Sequence, residues 1–259
     1  MNLKRYFTYW LKTNELTFES LIADKLSSIL FIIGKLIRFL FMLGFLFAIK
    51  NRINLVAGYN LDQLIVFFLI YNIFDLVGQF FYRGVYWFRA DIISGDLDFK
   101  LLKPISPLFQ ILTSHTDFLD IPQFFLVIII LITRLPYVGL PDVIFFIILS
   151  FVSMLILTAV HIFVASIGVI TTEVDHIIWI FRSLSGMAQV PVDIYAQAVS
   201  AFLTFIIPIG LIFTFPAKVI YGQLHSFTIL WTVIFSLILY ALSLKFWAYS
   251  LKKYSSASS

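Results

Sequence analysis

The chain has 259 residues, 61% hydrophobic and 12% charged, with 30 Phe, 12 Tyr and 5 Trp. An ordinary soluble domain is about 45–50% apolar and about 25% charged, so this composition excludes a soluble globule, a disordered chain and a coiled coil. A membrane protein remains. Without cysteine there is no disulfide framework and no thiolate metal site, and 18 Lys+Arg against 14 Asp+Glu is too small an excess to imply nucleic acid.

Residues 1–25 alternate polar and apolar types. Leu3, Phe7, Trp10, Leu11, Phe18, Leu21 and Ile22 share one helical stripe, with Lys4, Lys12, Glu15 and Glu19 elsewhere, which predicts an interfacial amphipathic helix rather than a cleaved leader. Crossing about 30 Å of hydrocarbon takes roughly 20 helical residues. Runs of that length lie at 26–49, 61–82, 117–135, 142–169 and 226–248. Between the second and third, residues 83–116 form the longest connection; Gly95 predicts a helix stop, and Pro104 and Pro107 are expected to end the short helix that follows it. Asp120 and Asp142 are the expected N-caps of the third and fourth spans. From 171 to 223 the pattern is ambiguous, because Arg182 interrupts one apolar run and Pro208 and Pro216 break the next.

Charge placement resolves the count. Lys4, Arg5, Lys12 and Lys25 precede the first span, and Lys245, Lys252 and Lys253 close the last, so both termini are predicted cytoplasmic. Arg83, Arg89, Lys100 and Lys103 fall on the same side, whereas Lys50, Arg52, Arg134 and Lys218 fall on the other. An even number of crossings follows. The reading is an all-α integral membrane protein with six transmembrane helices in 26–248, a cytoplasmic loop at 83–116, an outer-face re-entrant hairpin at 191–222 and a tail at 249–259. Which of 177–190 and 198–215 crosses stays open.

Chemistry is sparse. No G-x-x-x-x-G-K-[ST] phosphate loop exists, so the chain is not expected to hydrolyse ATP. His115 and Asp120 have the spacing of a histidine base oriented by a carboxylate, but with 4 His and 14 acids such a pair arises by chance. Glu173 and His176 form only half of a metal site, and no metal is expected. His161, Ser153, Ser166 and Gly168 suit close helix packing. The informative residues are ionisable ones at membrane depth, each costing about 2.5–3.5 kcal/mol unless paired or wetted. Lys35 and Arg38 share a face of the first span, and Asp75 of the second is expected to neutralise one of them; Arg182 has Glu173 or Asp175 as its expected partner. Together they form either interhelical ion pairs or the polar lining of a cavity. Pro191, Pro208 and Pro216 mark broken helices of the kind found where transporters gate.

Three stretches carry a resemblance: Val56-Ala-Gly-Tyr-Asn-Leu-Asp-Gln63, Ile93-Ser-Gly-Asp-Leu-Asp-Phe-Lys-Leu-Leu-Lys-Pro-Ile105, and Val190-Pro-Val-Asp-Ile-Tyr195 with Ile207-Pro208 and Phe215-Pro-Ala217. With these the chain resembles, over nearly its whole length, the six-span permeases of ABC exporters of the ABC-2 type. The resemblance implies an N-terminal interface helix, a cytoplasmic coupling helix and re-entrant helices before the last span. It further implies two copies of a separate ATP-binding subunit supplying ATP and Mg chemistry, a second permease, identical or related, and residence in the cell membrane among lipid. Under this reading Arg89, Asp91, Ile93, Gly95, Asp96, Asp98, Lys100, Lys103 and Pro104 couple to the ATPase. Lys35, Arg38, Asp75 and Arg182 line the interior, and Pro191, Tyr195, Pro208 and Pro216 form the outer gate. The many Phe suggest an apolar or amphipathic cargo. Competing classes are a lipid-modifying membrane enzyme using His115 and Asp120, and an ion-coupled secondary transporter using Asp75 and Lys35.

Overall fold

The computed structural model describes residues 3–49 and 55–254, and those residues are helical throughout apart from turns and one isolated bridge between Val56 and Tyr59. Lys50, Arg52 and residues 255–259 lie outside the described residues. Helix α1 (Leu3–Ala23) is followed after Asp24 by α2 (Lys25–Ile49). Of the stripe expected on α1, Leu3, Phe7, Leu11, Phe18 and Ile22 are exposed and Trp10 and Leu21 are half-buried. The opposite face is held by polar contacts that apolar patterning does not reveal. Asn14 donates to Thr113 O (3.1 Å) and accepts from Thr116 N (2.9 Å), Tyr6 Oη accepts from Ser106 N (3.1 Å), and Tyr9 donates to Gln110 (3.2 Å).

Helix α3 (Leu61–Tyr82) is the buried centre of the bundle. Its start is set by a tight reversal in which Ala57 and Gly58 both take positive φ, followed by a capping box between Asn60 and Gln63. A 3-10 turn, Arg83–Trp87, carries the chain into α4 (Phe88–Ser94), so 61–94 runs as one long apolar element. Gly95 stops α4 as predicted, with φ 80° and ψ 5°. Helix α5 (Asp96–Leu102) ends before Pro104, but Pro107 opens α6 (Pro107–Thr113) instead of ending a helix, with Ser106 accepting from Phe109 N. The correction follows from proline having no N–H to lose in a first turn.

The predicted third span, 117–135, is preceded by a bend. Pro107–Thr113 and Phe118–Arg134 meet at 43°, and the second limb contains α7 (Ile121–Arg134). Asp120 precedes α7 without a side-chain cap bond, because its carboxylate is turned to Lys35. Helix α8 (Leu140–Thr171) is capped by Gly139, so Asp142 sits in its first turn, where a negative charge favours the helix dipole, and is not the cap. Helix α9 (Val174–Ser185) doubles back on α8 because Gly168 leaves room: a Cβ there would meet Val174 Cγ2 at 2.2 Å.

After α9 the chain enters α10 (Gln197–Ala201), two π turns at 202–206 and 210–214, and α11 (Phe215–Ile220), with an 87° bend between the limbs. Each π turn ends beside a proline. Pro208 and Pro216 lack the N–H and crowd the carbonyl four residues back, so the helix widens, as in Ile207 N donating to Phe202 O at 3.0 Å. Helix α12 (Ser226–Lys253) packs on α8 over the most extensive helix pair in the fold. Thr232, Ser236, Ser243 and Ser250 are buried along that seam, their small hydroxyls bonded to their own helix so that the backbones can approach. Among the described residues four helices are long and apolar enough to cross a membrane, or up to six if each bent pair counts as one.

Candidate functional site

At mid-helix depth α2, α3, α9 and the start of α7 enclose a narrow polar cleft of about 80 Å³. Lys35, Arg38, Asp75 and Arg182 all line it. The pairing is different. Asp75 accepts from Arg182 of α9 in a bidentate pair (2.8 and 3.3 Å), not from Lys35 or Arg38. Arg182 therefore pairs with neither Glu173 nor Asp175; Asp175 reaches Arg89 (3.5 Å) and Glu173 meets His176 (2.7 Å). Lys35 binds Asp117 (3.1 Å) and Asp120, two acids at the break before α7. Arg38 has no ion pair among the described residues. Asn72 and Gln123 hydrogen-bond to each other across the cleft (3.3 Å). Asp117, Asn72, Gln123 and Gln189 are members of the site that the sequence did not reveal. The only signal was Asp117 and Asp120 standing three apart, on one helical face.

Below the cleft a second polar run continues along α3. Arg83 donates to Gln79 (2.9 Å), Gln79 to Tyr86 (3.2 Å), and the Arg83 guanidinium lies 5.0 Å over the Tyr86 ring. His161 is buried beside it, with Nδ1 on Leu157 O (2.8 Å) and its ring 4.9 Å from Tyr82.

At the end of α3 remote from α4, Asp193 joins three segments. Its carboxylate accepts from Tyr59 Oη (2.6 Å) and pairs with Lys218 of α11. Burial first, then the hydrogen bond to Asp193 and its charge, push the Tyr59 phenol up, so it stays a donor. This joins the first and third of the motif stretches. Tyr195 is tied by its hydroxyl to Met187 O (2.8 Å), Val192 N donates to Thr214 (3.3 Å), and Gly210 is forced by the approach of Thr204 Oγ1 to 2.7 Å of a would-be Cβ. Pro191, Pro208 and Pro216 sit at breaks of this same assembly.

The α4–α5 hairpin holds the third candidate cluster. Asp91 and Lys100 pair across it, Ser94 donates to Asp96 (2.7 Å), and Arg89 leaves for α9. Those charges build the hairpin. Its outer surface is apolar, with Ile93 61%, Phe99 65% and Leu102 81% exposed, edged by Asp96, Lys103 and Pro104 and with Asp98 in the first turn of α5. Gln110, fully buried, donates to Lys100 O (2.9 Å) and Ile105 O (3.0 Å), fixing the hairpin to α6.

Other motifs do not assemble. His115 stacks on Trp87 (5.7 Å) and makes no hydrogen bond to Asp120, which belongs to Lys35. The Glu173–His176 pair is exposed, and no third metal-ligating group joins it among the described residues.

Several long apolar helices, with membrane-depth charges gathered in a narrow cleft between them and a polar-edged helical hairpin at one end, define a multi-pass membrane protein. Residues 32–258 match the family model described as an ABC-2 family transporter protein, and the chain belongs to that family of ABC transporter membrane permeases. No curated protein and no solved structure matches it.

Proposed function

We propose that this permease is half of the membrane unit of an ATP-driven exporter, with hydrolysis carried out by a separate pair of ATP-binding subunits. The observation that carries the reading is the α4–α5 hairpin: an outward apolar patch of Ile93, Phe99 and Leu102 on a stem braced by Asp91–Lys100 and Gln110. A patch of this kind on a rigid stem suits a partner groove, with Asp96, Asp98 and Lys103 at its rim. In this account the hairpin is the coupling helix, α1 lies in the cytoplasmic membrane interface on its exposed apolar face, and both termini are cytoplasmic.

Six crossings follow if α9, with the 3-10 turn to Gln189, crosses as a short helix and 197–220 re-enters from the outer face; the 87° bend supports that division. Nucleotide-driven motion of the hairpin would pass through Arg89–Asp175 to α9, then through Arg182–Asp75 to α3. At the outer face Asp193, gripping Tyr59 and Lys218, keeps the hairpin of Pro191, Tyr195, Pro208 and Pro216 closed until that motion arrives. Cargo is apolar or amphipathic, and a second permease completes the pathway.

The test is reconstitution in vesicles with the ATP-binding subunit. Asp98→Lys combined with Lys103→Glu is expected to abolish permease-stimulated ATP hydrolysis while the permease still inserts. Full stimulation in the double variant would contradict the docking assignment.

A further inference from the structure

A pocket of about 400 Å³ opens between the α1–α2 elbow and the break before α7. We propose that it holds the headgroup of a membrane phospholipid bearing a primary ammonium. The inference adds a lipid site to the proposed permease and rests on α1 lying in the membrane interface. Volumes above about 300 Å³ accommodate small ligands, and the lining divides by chemistry.

One wall offers donors. Arg83 spends one N–H on Gln79 and keeps the others of its fork. Thr116 is 1% exposed, yet its hydroxyl has no partner, while its backbone N–H is fixed by Asn14. A buried hydroxyl without a partner is costly, so this atom points to something bound. His115 beside it has positive φ (58°) and neither ring nitrogen bonded among the described residues. A phosphate ester satisfies all three.

The other charges in the pocket decide the rest of the head. Asp24 lines the pocket next to Lys25 but makes no ion pair among the described residues, and bonds from Ser27 hold its carboxyl below the usual range. Asp117 is shared with Lys35. A bare phosphate would be repelled by these two carboxylates, whereas a head carrying its own ammonium answers Asp24. A primary ammonium donates hydrogen bonds; a trimethylated one has none to give. Acyl chains would leave over Phe31 and Leu21, which line the pocket, onto the exposed Ile29 and Leu30 of α2.

The experiment uses the purified chain in detergent, stripped of lipid and titrated with phosphatidylethanolamine, phosphatidylcholine or diacylglycerol, with adducts read by native mass spectrometry. The expected order is phosphatidylethanolamine bound about tenfold tighter than phosphatidylcholine, with diacylglycerol not retained. Ser27→Trp, an exposed position that a large ring would use to fill the mouth, and Arg83→Gln should each remove the adduct. Asp24→Asn should bring the two phospholipids level. Circular dichroism confirms that each variant remains helical; if Arg83→Gln does not, Ser27→Trp and Asp24→Asn carry the test. Equal retention of all three lipids by the unaltered chain, or an unchanged adduct in Ser27→Trp, overturns the proposal. No ATPase takes part, so such a failure leaves the exporter reading intact, and loss of coupling in the double variant leaves the lipid site intact.

Discussion

Arg182 and Asp75 are each other's principal partner in the polar cleft between apolar helices, and removal of one leaves the other charged and partly buried. Asp75→Asn is therefore expected to destabilise the permease by about 3 kcal/mol, lowering the midpoint of thermal unfolding in detergent. The double exchange Asp75→Arg with Arg182→Asp should recover part of that loss; no recovery would mean that the pair acts only through packing. Glycine positions give a second contrast. At Gly84 a Cβ would stand 2.0 Å from Ile111 O and 2.9 Å from Ser114 O, against backbone that cannot swing away, whereas at Gly44 nothing lies within 4 Å. Gly84→Ala should cost about 2–3 kcal/mol by overpacking, and Gly44→Ala should be neutral or gain up to about 1 kcal/mol from helix propensity. Thermal scans of the two variants side by side check this, and equal midpoints would refute it. Membrane-depth charge was visible in the sequence because Lys35, Arg38, Asp75 and Arg182 interrupt apolar runs. The partners were not, since pairing depends on which helix covers which face of α3. That placed Arg182 on Asp75 and sent Lys35 to Asp117 and Asp120.

Among the elements, the hairpin of α4 and α5 and the outer assembly around Asp193 are the two proposed moving parts. If the apolar patch is what a partner grips, Ile93→Ser with Phe99→Ser should weaken ATPase binding about tenfold in pull-down titrations, with insertion unchanged; unaltered affinity would place the contact elsewhere. At the end of α3 remote from α4, the proposed outer face, Tyr59→Phe removes one of the two holds on Asp193. It is expected to speed maleimide labelling of Ile207→Cys from outside several-fold, and an unchanged rate would deny Asp193 a latching role. The chain has no native cysteine, so such labelling has no background. Gly95 and the prolines at 104, 208 and 216 were readable as breaks because each fixes or forbids a backbone state. The 43° break before α7 was not: no glycine or proline stands at 114–117, and the bend comes from Asn14 and Lys35 pulling on that segment from other helices. Likewise α1 was legible as an amphipathic helix, whereas its clasp on α6 through Tyr6, Tyr9 and Asn14 rests on side-chain hydrogen bonds without a period in sequence.

At the scale of the molecule, α3 is a buried post on which α2, α7, α8 and the assembly around Asp193 lean, and the family match spans 32–258, leaving all of α1 and the first turns of α2 outside it. The proposed account needs the hairpin end to face the nucleotide and the Asp193 end to face away. A single residue reports this. Phe99→Cys, at the exposed centre of the hairpin patch, should react with an impermeant maleimide in inside-out membrane vesicles and not in right-side-out ones, and the bound ATP-binding subunit should protect it. Labelling from the outer face, or a rate indifferent to the ATPase, would contradict the account.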